Sequence, residues 1–318
     1  MHARMRAIRQ ETFGGPEVLR LVEVERPEPG PTEVLVRVHA AGVNPVDWWT
    51  RSGKGVLRDL PMTVGWDLSG VVEEAGRGVT RFAPGDEVFG MPWFPRQAGA
   101  YADYVTAPSR QLARKPARAS HLEAGGLPLA GLTAWQVLVD TAHIEPGQRV
   151  LVTAAGGGVG HLAVQIAKAR GAHVIATASR GKHEFVRGLG ADEVLDSAPV
   201  GQQLETAVAD VDVALDLVGG EASVRWLEAL RPGGLLVPIT GGGPDVDAQA
   251  AARGRRATSL LVEPDAGGLE ALAALVDAGQ LRVEIDTALP LEEAAKAHEI
   301  SQAGHARGKI VLEVVPGR

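Results

Sequence analysis

Residues 149–178 constrain this chain more than any other stretch. RVLVTA is a short apolar run of β-forming residues, and Ala155-Gly156-Gly157-Gly158-Val159-Gly160 follows it directly. HLAVQIAKARGA then spaces its apolar residues as a helix does, and HVIATA is a second apolar strand. A strand, a glycine turn, a helix and a strand in one unit of roughly thirty residues is the order that dinucleotide binding requires. Aligned as A-x-G-x-x-G, Ala155 takes the tight turn, Gly157 lets the backbone approach a pyrophosphate, and Gly160 lets the helix pack on the strand. Amides left unpaired where the helix begins then face the phosphates.

The rest of the chain fits around that unit. From Arg149 onward strands alternate with amphipathic helices: EFVRGLGA, EVLDS, VDVALDLVG, the helix ASVRWLEALRPGG and the strand LLVPIT. That alternation predicts a doubly wound parallel sheet with helices on both faces. Before it, from Met5 to about Thr106, short runs such as EVLVRVHAAGV, SGVVEEAG and GDEVFG are broken by Gly and Pro, which predicts a compact β-rich barrel. EAGGLPLAGLTAWQVLVDTA, between the two, has helical spacing. At the end, LEALAALVDAGQL reads as a helix, LRVEIDTAL as a strand, LEEAAKAHEISQAG as a helix and GKIVLEVV as a terminal strand, and the last two are placed to rejoin the first domain.

Composition excludes several chemistries. At 318 residues, two domains are expected, with one large barrel as the alternative. A net charge of -7 argues against nucleic acid as a partner, and Arg253, Arg255 and Arg256, the one dense basic cluster, read as a solvated loop or helix end. No cysteine is present, so disulfides, thiolate catalysis and cysteine-ligated metal are ruled out. The nine histidines show no HExxH spacing, and neither a GxSxG elbow nor a GxxxxGK[ST] loop occurs. No run approaches the ~18 apolar residues of a membrane helix, and the basic start leads into no apolar segment, so no membrane association and a cytoplasmic location are expected.

Cofactor choice is read where the second strand ends. An acidic residue there would bond the ribose hydroxyl of NAD, but this chain has Ser179 and Arg180, with Lys182 close behind. A hydroxyl and two cations suit a 2′-phosphate, so NADPH is the expected cofactor; an exposed polar turn is the plainer reading of the same residues. Trp48, Trp49, Trp66 and Trp93 cluster in the first domain, where they either wall an apolar pocket or fill a small core.

Eight segments in order resemble the medium-chain dehydrogenase/reductase superfamily, and within it the zinc-independent quinone oxidoreductase group that includes zeta-crystallin. They are GGPEVL (14–19), AAGVNPVD (40–47), GWDLSG (65–70), PGDEVFG (84–90), LPLAGLTAW (127–135), AAGGGVG (154–160), LGADEVLD (189–196) and RGKIVLEV (307–314). The resemblance implies an N-terminal GroES-like β-barrel domain over 1–124 and a Rossmann domain over 125–282. A segment over 283–318 would return to the barrel, with the active site in the cleft between domains. Zinc-dependent alcohol dehydrogenases of this superfamily take their metal on a cysteine and a Gly-His-Glu segment. Here Asn44 and Gly65-Trp66-Asp67 stand in the matching places, so no metal is expected.

Carried over by position, Asn44 resembles the asparagine beside the nicotinamide and Thr133 the threonine that starts the domain-linking helix. Gly157, Gly158 and Val159 match the pyrophosphate turn, and Ser179 and Lys182 the 2′-phosphate contacts. Val218 lies where the adenosine side is lined, and Thr240 with Gly241 follows a strand edge that approaches the cofactor. Trp48, Trp49, Asp67 and Trp93 form the implied substrate pocket. Two departures stand out: relatives often carry Lys or Tyr where Trp48 and Trp49 stand, and a tyrosine common after LGAD-x-V-I-D is Ser197 here. The implied activity is hydride transfer from NADPH to an electrophilic small molecule, a quinone or an α,β-unsaturated carbonyl, with Asn44 as the candidate hydrogen-bond donor and water as the proton source. The rivals are a non-enzymatic NADPH-binding structural protein or redox sensor, and a metal-dependent alcohol dehydrogenase. A homodimer is implied as well, with LLVPIT as the candidate edge strand.

Overall fold

The computed structural model describes residues 3–197 and 208–315. The chain divides into two compact units, one made of Met1–Leu132 with Glu263–Arg318 and the other of Thr133–Val262.

In the first unit, β1 (Arg4–Gln10) lies antiparallel to β2 (Arg20–Glu25) and to β4 (Met62–Thr63), while β3 (Glu33–Val43) pairs antiparallel with β5 (Leu68–Ala75) and with β7 (Tyr104–Pro108). The pairing continues from β5 to β6 (Glu87–Gly90) and from β6 to β8 (Leu112–Arg114). Alternation in EVLVRVHAAGV sends Val34, Val36 and Val38 into a core with Leu68, Val88 and Leu112.

The second unit carries β9 (Arg149–Val152), β10 (His173–Ala178), β11 (Glu193–Asp196), β12 (Val211–Asp216), β13 (Leu230–Pro238) and β14 (Arg256–Ala257). They form one parallel sheet in the order β11-β10-β9-β12-β13-β14, so the connections reverse direction between β9 and β12. That order is the doubly wound one, with its switch point at the glycine turn. Leu151, Ile175, Ala214, Leu227 and Leu236 make its core with Trp226.

The chain then returns. β15 (Ile285–Pro290) runs parallel to β16 (Lys309–Glu313), and β16 lies antiparallel to β3, with Ile310 opposite Val43 and Leu312 opposite Ala41. Leu291, Ala297, Ile310 and Leu312 therefore belong to the first unit's core.

The compact units divide at 132/133 and 262/263, where the sequence reading sets domain limits at 124/125 and 282/283, and two other expectations need correcting. The helix Ala266–Asp277 belongs to the first unit because it is tied there: the Arg118 amide donates to Asp277 Oδ1 at 3.0 Å, and Arg81 pairs with Glu270. The helix expected across ASVRWLEALRPGG ends at Ala229 and Leu230 already opens β13, since Pro232 cannot continue a helix. The LLVP part of LLVPIT, the candidate edge strand, lies in β13, which β12 and β14 flank on either side; β14 is the edge on that side of the sheet.

Candidate functional site

In the second unit the site is built from backbone. β9 ends at Val152, and the turn that follows is locked to β10 by the Ala155 amide, which donates to the Thr177 carbonyl at 2.8 Å. Gly160 opens the helix Gly160–Ala169. A Cβ there would stand 2.5 Å from the Ala154 carbonyl oxygen and 2.6 Å from the Ala155 Cα, both main-chain atoms, so only glycine lets helix and turn close together. At Gly157 an added Cβ would meet only the Ala154 oxygen, at 3.3 Å, which leaves that side of the turn open for a ligand. Among the described residues, the amides of Gly158 and Val159 donate to no backbone acceptor. Open backbone and unpaired amides at a helix start suit a pyrophosphate.

The surrounding residues converge on the same end of the sheet. The Lys182 side chain lies against Gly156: a Cβ on that glycine would fall 2.7 Å from the lysine Cδ. Ser179 and Arg180 are exposed at the end of β10, and Arg180 Nε pairs with Asp196 Oδ2 at 3.3 Å at the end of the neighbouring strand. Arg180 is 89% exposed, so this ion pair is weak and readily exchanged. Ser197, on the same strand end, donates its amide to the Ala178 carbonyl.

After β12, Thr240 Oγ1 donates to the Val218 carbonyl at 2.9 Å and the Gly220 amide to the Gly241 carbonyl at 2.8 Å, so Val218, Thr240 and Gly241 come together. Sequence reasoning missed what holds this turn. The buried Asp216 carboxylate accepts from Thr153 Oγ1 at 2.9 Å, from the Val218 and Gly219 amides at 3.0 and 3.2 Å, and from Ser223 Oγ. One carboxylate therefore fixes the ends of both strands at the switch point. Thr133 is buried in the helix Pro128–Trp135, at the first residue of the second unit.

In the first unit the candidate residues are buried side chains. Asn44 precedes the helix Pro45–Arg51; its amide donates to Asp47 Oδ2 at 2.7 Å, half of a capping box. Its side chain turns the other way. Nδ2 donates to Asp67 Oδ2 at 2.8 Å, and Oδ1 accepts from the Lys309 ammonium, which also donates to the Val43 carbonyl at 3.2 Å. The Leu129 amide donates to the second Asp67 oxygen at 2.7 Å. Asp67, expected on the pocket wall, is instead fully buried beneath Asn44 with both oxygens engaged. Burial raises its pKa to about 6 against the pull of Lys309, and burial lowers that of Lys309.

A second chain of bonds runs through the helix. The Arg51 guanidinium donates to His298 Nδ1 at 3.2 Å, His298 Nε2 lies 3.2 Å from the Tyr101 hydroxyl, and that hydroxyl donates to Asp47 Oδ2 at 3.0 Å. With Arg51 able only to donate, His298 is the neutral tautomer protonated on Nε2. Burial accordingly depresses its pKa to about 3 and raises that of Asp47 to about 7. Neither Lys309 nor Tyr101 stands out from sequence. Lys309 had a readable signal, a lone cation opening an apolar terminal strand, which must find a buried anion.

The tryptophans do not form one wall. Trp48 and Trp49 make an edge-to-face pair, with Trp48 Nε1 donating to Ser301 Oγ at 3.2 Å and Trp49 40% exposed. Trp66 is buried against Phe94, and Trp93 is half-buried with its indole donating to the Thr106 carbonyl at 2.8 Å. Trp66 is thus core, and the exposed ring is Trp49.

A metal does not fit. The chain has no cysteine, Trp66 fills the middle of the 65–67 segment, and Asp67 has no oxygen free of an amide partner. Among the described residues no group of three His, Asp or Glu is placed to hold an ion. No described helix is long and apolar enough to cross a membrane.

Residues 30–117 match the alcohol dehydrogenase GroES-like domain model and residues 189–312 the zinc-binding dehydrogenase model. The chain is similar to a spinach quinone-oxidoreductase homolog, chloroplastic, at 36% identity over 97% of this chain and 98% of that one. It is also similar to the quinone oxidoreductase structure from Coxiella burnetii, with a TM-score of 0.93 and 39% identity over 98% of this chain and 100% of that one. A mycobacterial structure described as complexed with NADPH superposes with a TM-score of 0.87 at 31% identity, over 98% of this chain and 100% of the other. A GroES-like unit, a doubly wound parallel unit and whole-length identities of this size have one reading: the chain belongs to the medium-chain dehydrogenase/reductase superfamily, in its quinone oxidoreductase group.

Proposed function

We propose that this protein is an NADPH-dependent, metal-free reductase of quinones or α,β-unsaturated carbonyl compounds. The observation that carries the reading is the turn at Gly157–Gly160, where the Gly158 and Val159 amides donate to no backbone acceptor among the described residues and Lys182 is laid against Gly156. When bound, the reduced nicotinamide supplies hydride. The cations at Arg180 and Lys182, beside Ser179, favour a 2′-phosphate over a bare ribose. The mycobacterial structure complexed with NADPH, and the relatives named as quinone oxidoreductases, support the same cofactor and acceptor class.

The acceptor gains hydride at an electron-poor carbon, such as the β-carbon of an enone. The displaced electron pair collects on the carbonyl oxygen as an enolate, and a proton from water completes the reduction. A quinone takes the same two electrons and ends as the hydroquinone. Asn44 Nδ2 is the donor proposed for the oxygen where charge develops, worth about 100-fold in rate by analogy with other oxyanion donors. Trp49, as the exposed ring of the tryptophan pair, offers a planar acceptor a stacking surface. A homodimer and a cytoplasmic location complete the proposal; light scattering and cell fractionation check them.

Titration calorimetry with NADPH and NADH, followed by stopped-flow NADPH oxidation with 1,4-benzoquinone, 9,10-phenanthrenequinone and short enones, tests the whole. Tighter binding of NADPH and turnover with at least one acceptor are expected. Binding without oxidation by any acceptor would make the protein a cofactor-binding structural protein or redox sensor instead. Activity lost to a chelator and restored by zinc would make it a metal-dependent alcohol dehydrogenase.

A further inference from the structure

A carboxamide can usually rotate by a half-turn and exchange its donor and acceptor ends. At Asn44 it cannot. Nδ2 faces Asp67, a carboxylate that accepts, and Oδ1 faces Lys309, an ammonium that can only donate. The reversed amide would set N–H against ammonium and C=O against carboxylate, both repulsive. The clamp is itself anchored at both ends. Asp67 is held through its other oxygen by the Leu129 amide, and Lys309 by the Val43 carbonyl, with ammonium and carboxylate 3.9 Å apart. All three side chains are buried, Asn44 keeping 2% of its surface.

This arrangement leaves a specific remainder. Nδ2 carries two hydrogens, one of which goes to Asp67; among the described residues the other has no acceptor. A cation on the oxygen draws density from the amide, favours its charge-separated resonance form and makes the N–H groups more positive, while the carboxylate takes up one of them and fixes where the other points. In a site shielded from water such polarisation is not screened away.

We propose that Lys309 is a positioning residue for the reductase reaction: with Asp67 it fixes and polarises the Asn44 carboxamide so that its one remaining N–H bonds the acceptor oxygen on which charge develops. The inference rests on the reading that Asn44 donates to the acceptor, and it adds why an asparagine there can do so in one orientation only. Lys309 itself need not touch the acceptor.

The test is a double-mutant cycle on NADPH oxidation with a short enone, using Asn44→Ala, Lys309→Met and the two combined, with NADPH affinity measured on each. Asn44→Ala is expected to lower kcat by about 100-fold. Lys309→Met is expected to lower kcat about 10-fold in the wild-type background and less than about 2-fold once Asn44 is alanine, with NADPH affinity changed less than about 2-fold throughout. The loss should also be larger for weakly electrophilic enones than for 1,4-benzoquinone, because the acceptor that depends most on a donor loses most. A purely structural lysine would give equal losses in both backgrounds and no dependence on the acceptor; either result overturns the inference. Should Lys309→Met fail to fold, Asp67→Asn, which keeps the shape and removes the charge, enters the same cycle with the same criteria. A wild-type enzyme with no turnover on any acceptor removes the functional reading and this inference together, whereas turnover with an additive cycle removes the inference alone.

Discussion

The candidate residues of the two units use different materials. At the glycine turn of the second unit the working atoms are main-chain amides and the absence of side chains, and the atoms that shape the turn are close in sequence, in Ala154, Ala155 and Gly160. At the 44–51 corner of the first unit they are buried charged and polar side chains whose partners are distant, Asn44 with Asp67 and Lys309, Arg51 with His298. A backbone site is rigid because sterics leave it nowhere to go. A side-chain site is rigid only if every polar atom finds its partner, and that couples its chemistry to its stability.

The sharpest break of this contrast is at Gly160. Gly160→Val forces a side chain into the Ala154 and Ala155 main chain, and calorimetry is expected to find no measurable NADPH binding. Gly157→Ala, whose new methyl meets one oxygen at 3.3 Å, should lose binding while thermal unfolding stays close to wild type. Equal NADPH affinity in both variants and wild type would show that the turn does not work through its bare backbone.

Next in size is Arg51→Ala, which strips donors from His298 Nδ1, Gln302 and the Gly14 carbonyl in a buried setting. It should lower the urea unfolding free energy by about 3 kcal/mol. A change under about 0.5 kcal/mol would mean that the first unit's buried network carries little of its stability.

Lys182→Ala is the smaller test on the backbone side. It removes a cation from the turn but leaves the amides, so NADPH affinity should fall about 10-fold and NADH affinity much less. Parallel losses for both cofactors would assign Lys182 to the shared diphosphate.

The smallest effect concerns pH. Burial raises Asp47 to about 7, and below its unfolded value of 3.8 the proton-linked stability it contributes is complete; that stability is lost as pH rises toward 7. His298, depressed to about 3, works in the opposite sense: its contribution is complete above 6.5 and is lost as pH falls toward 3. Between pH 4 and 6.5 the two oppose each other. Asp47→Asn removes the first and places an amide where Asp47 Oδ1 has no partner among the described residues. The melting temperature of this variant relative to wild type should therefore climb by a few degrees from pH 4 to pH 7.5. A constant difference across that range would show that Asp47 is ionised throughout.

Legibility followed the same division. β3 coincides with the run EVLVRVHAAGV, and the glycine turn lies where the strand–turn–helix order placed it, because periodicity and glycine spacing are local signals. Short elements escaped notice: β4 and β14 have two residues each and take their form from the strands beside them. The division at 262/263 has no local signal either. A helix such as Ala266–Asp277 does not announce which unit it will cover, and here ties from Arg118 and Arg81 decide it.

The sequence by itself determined the βαβ unit, the exclusion of cysteine chemistry and the family resemblance, since each depends on residue types at short spacing. Only the tertiary structure decided that Asp67 lies beneath Asn44 rather than on a pocket wall, that Lys309 closes the clamp, and that β13 is an interior strand. The reason is physical: a buried charge must be matched by whatever lies within a few ångströms, and the partner that meets it can come from anywhere along the chain, as Lys309 does from the last strand.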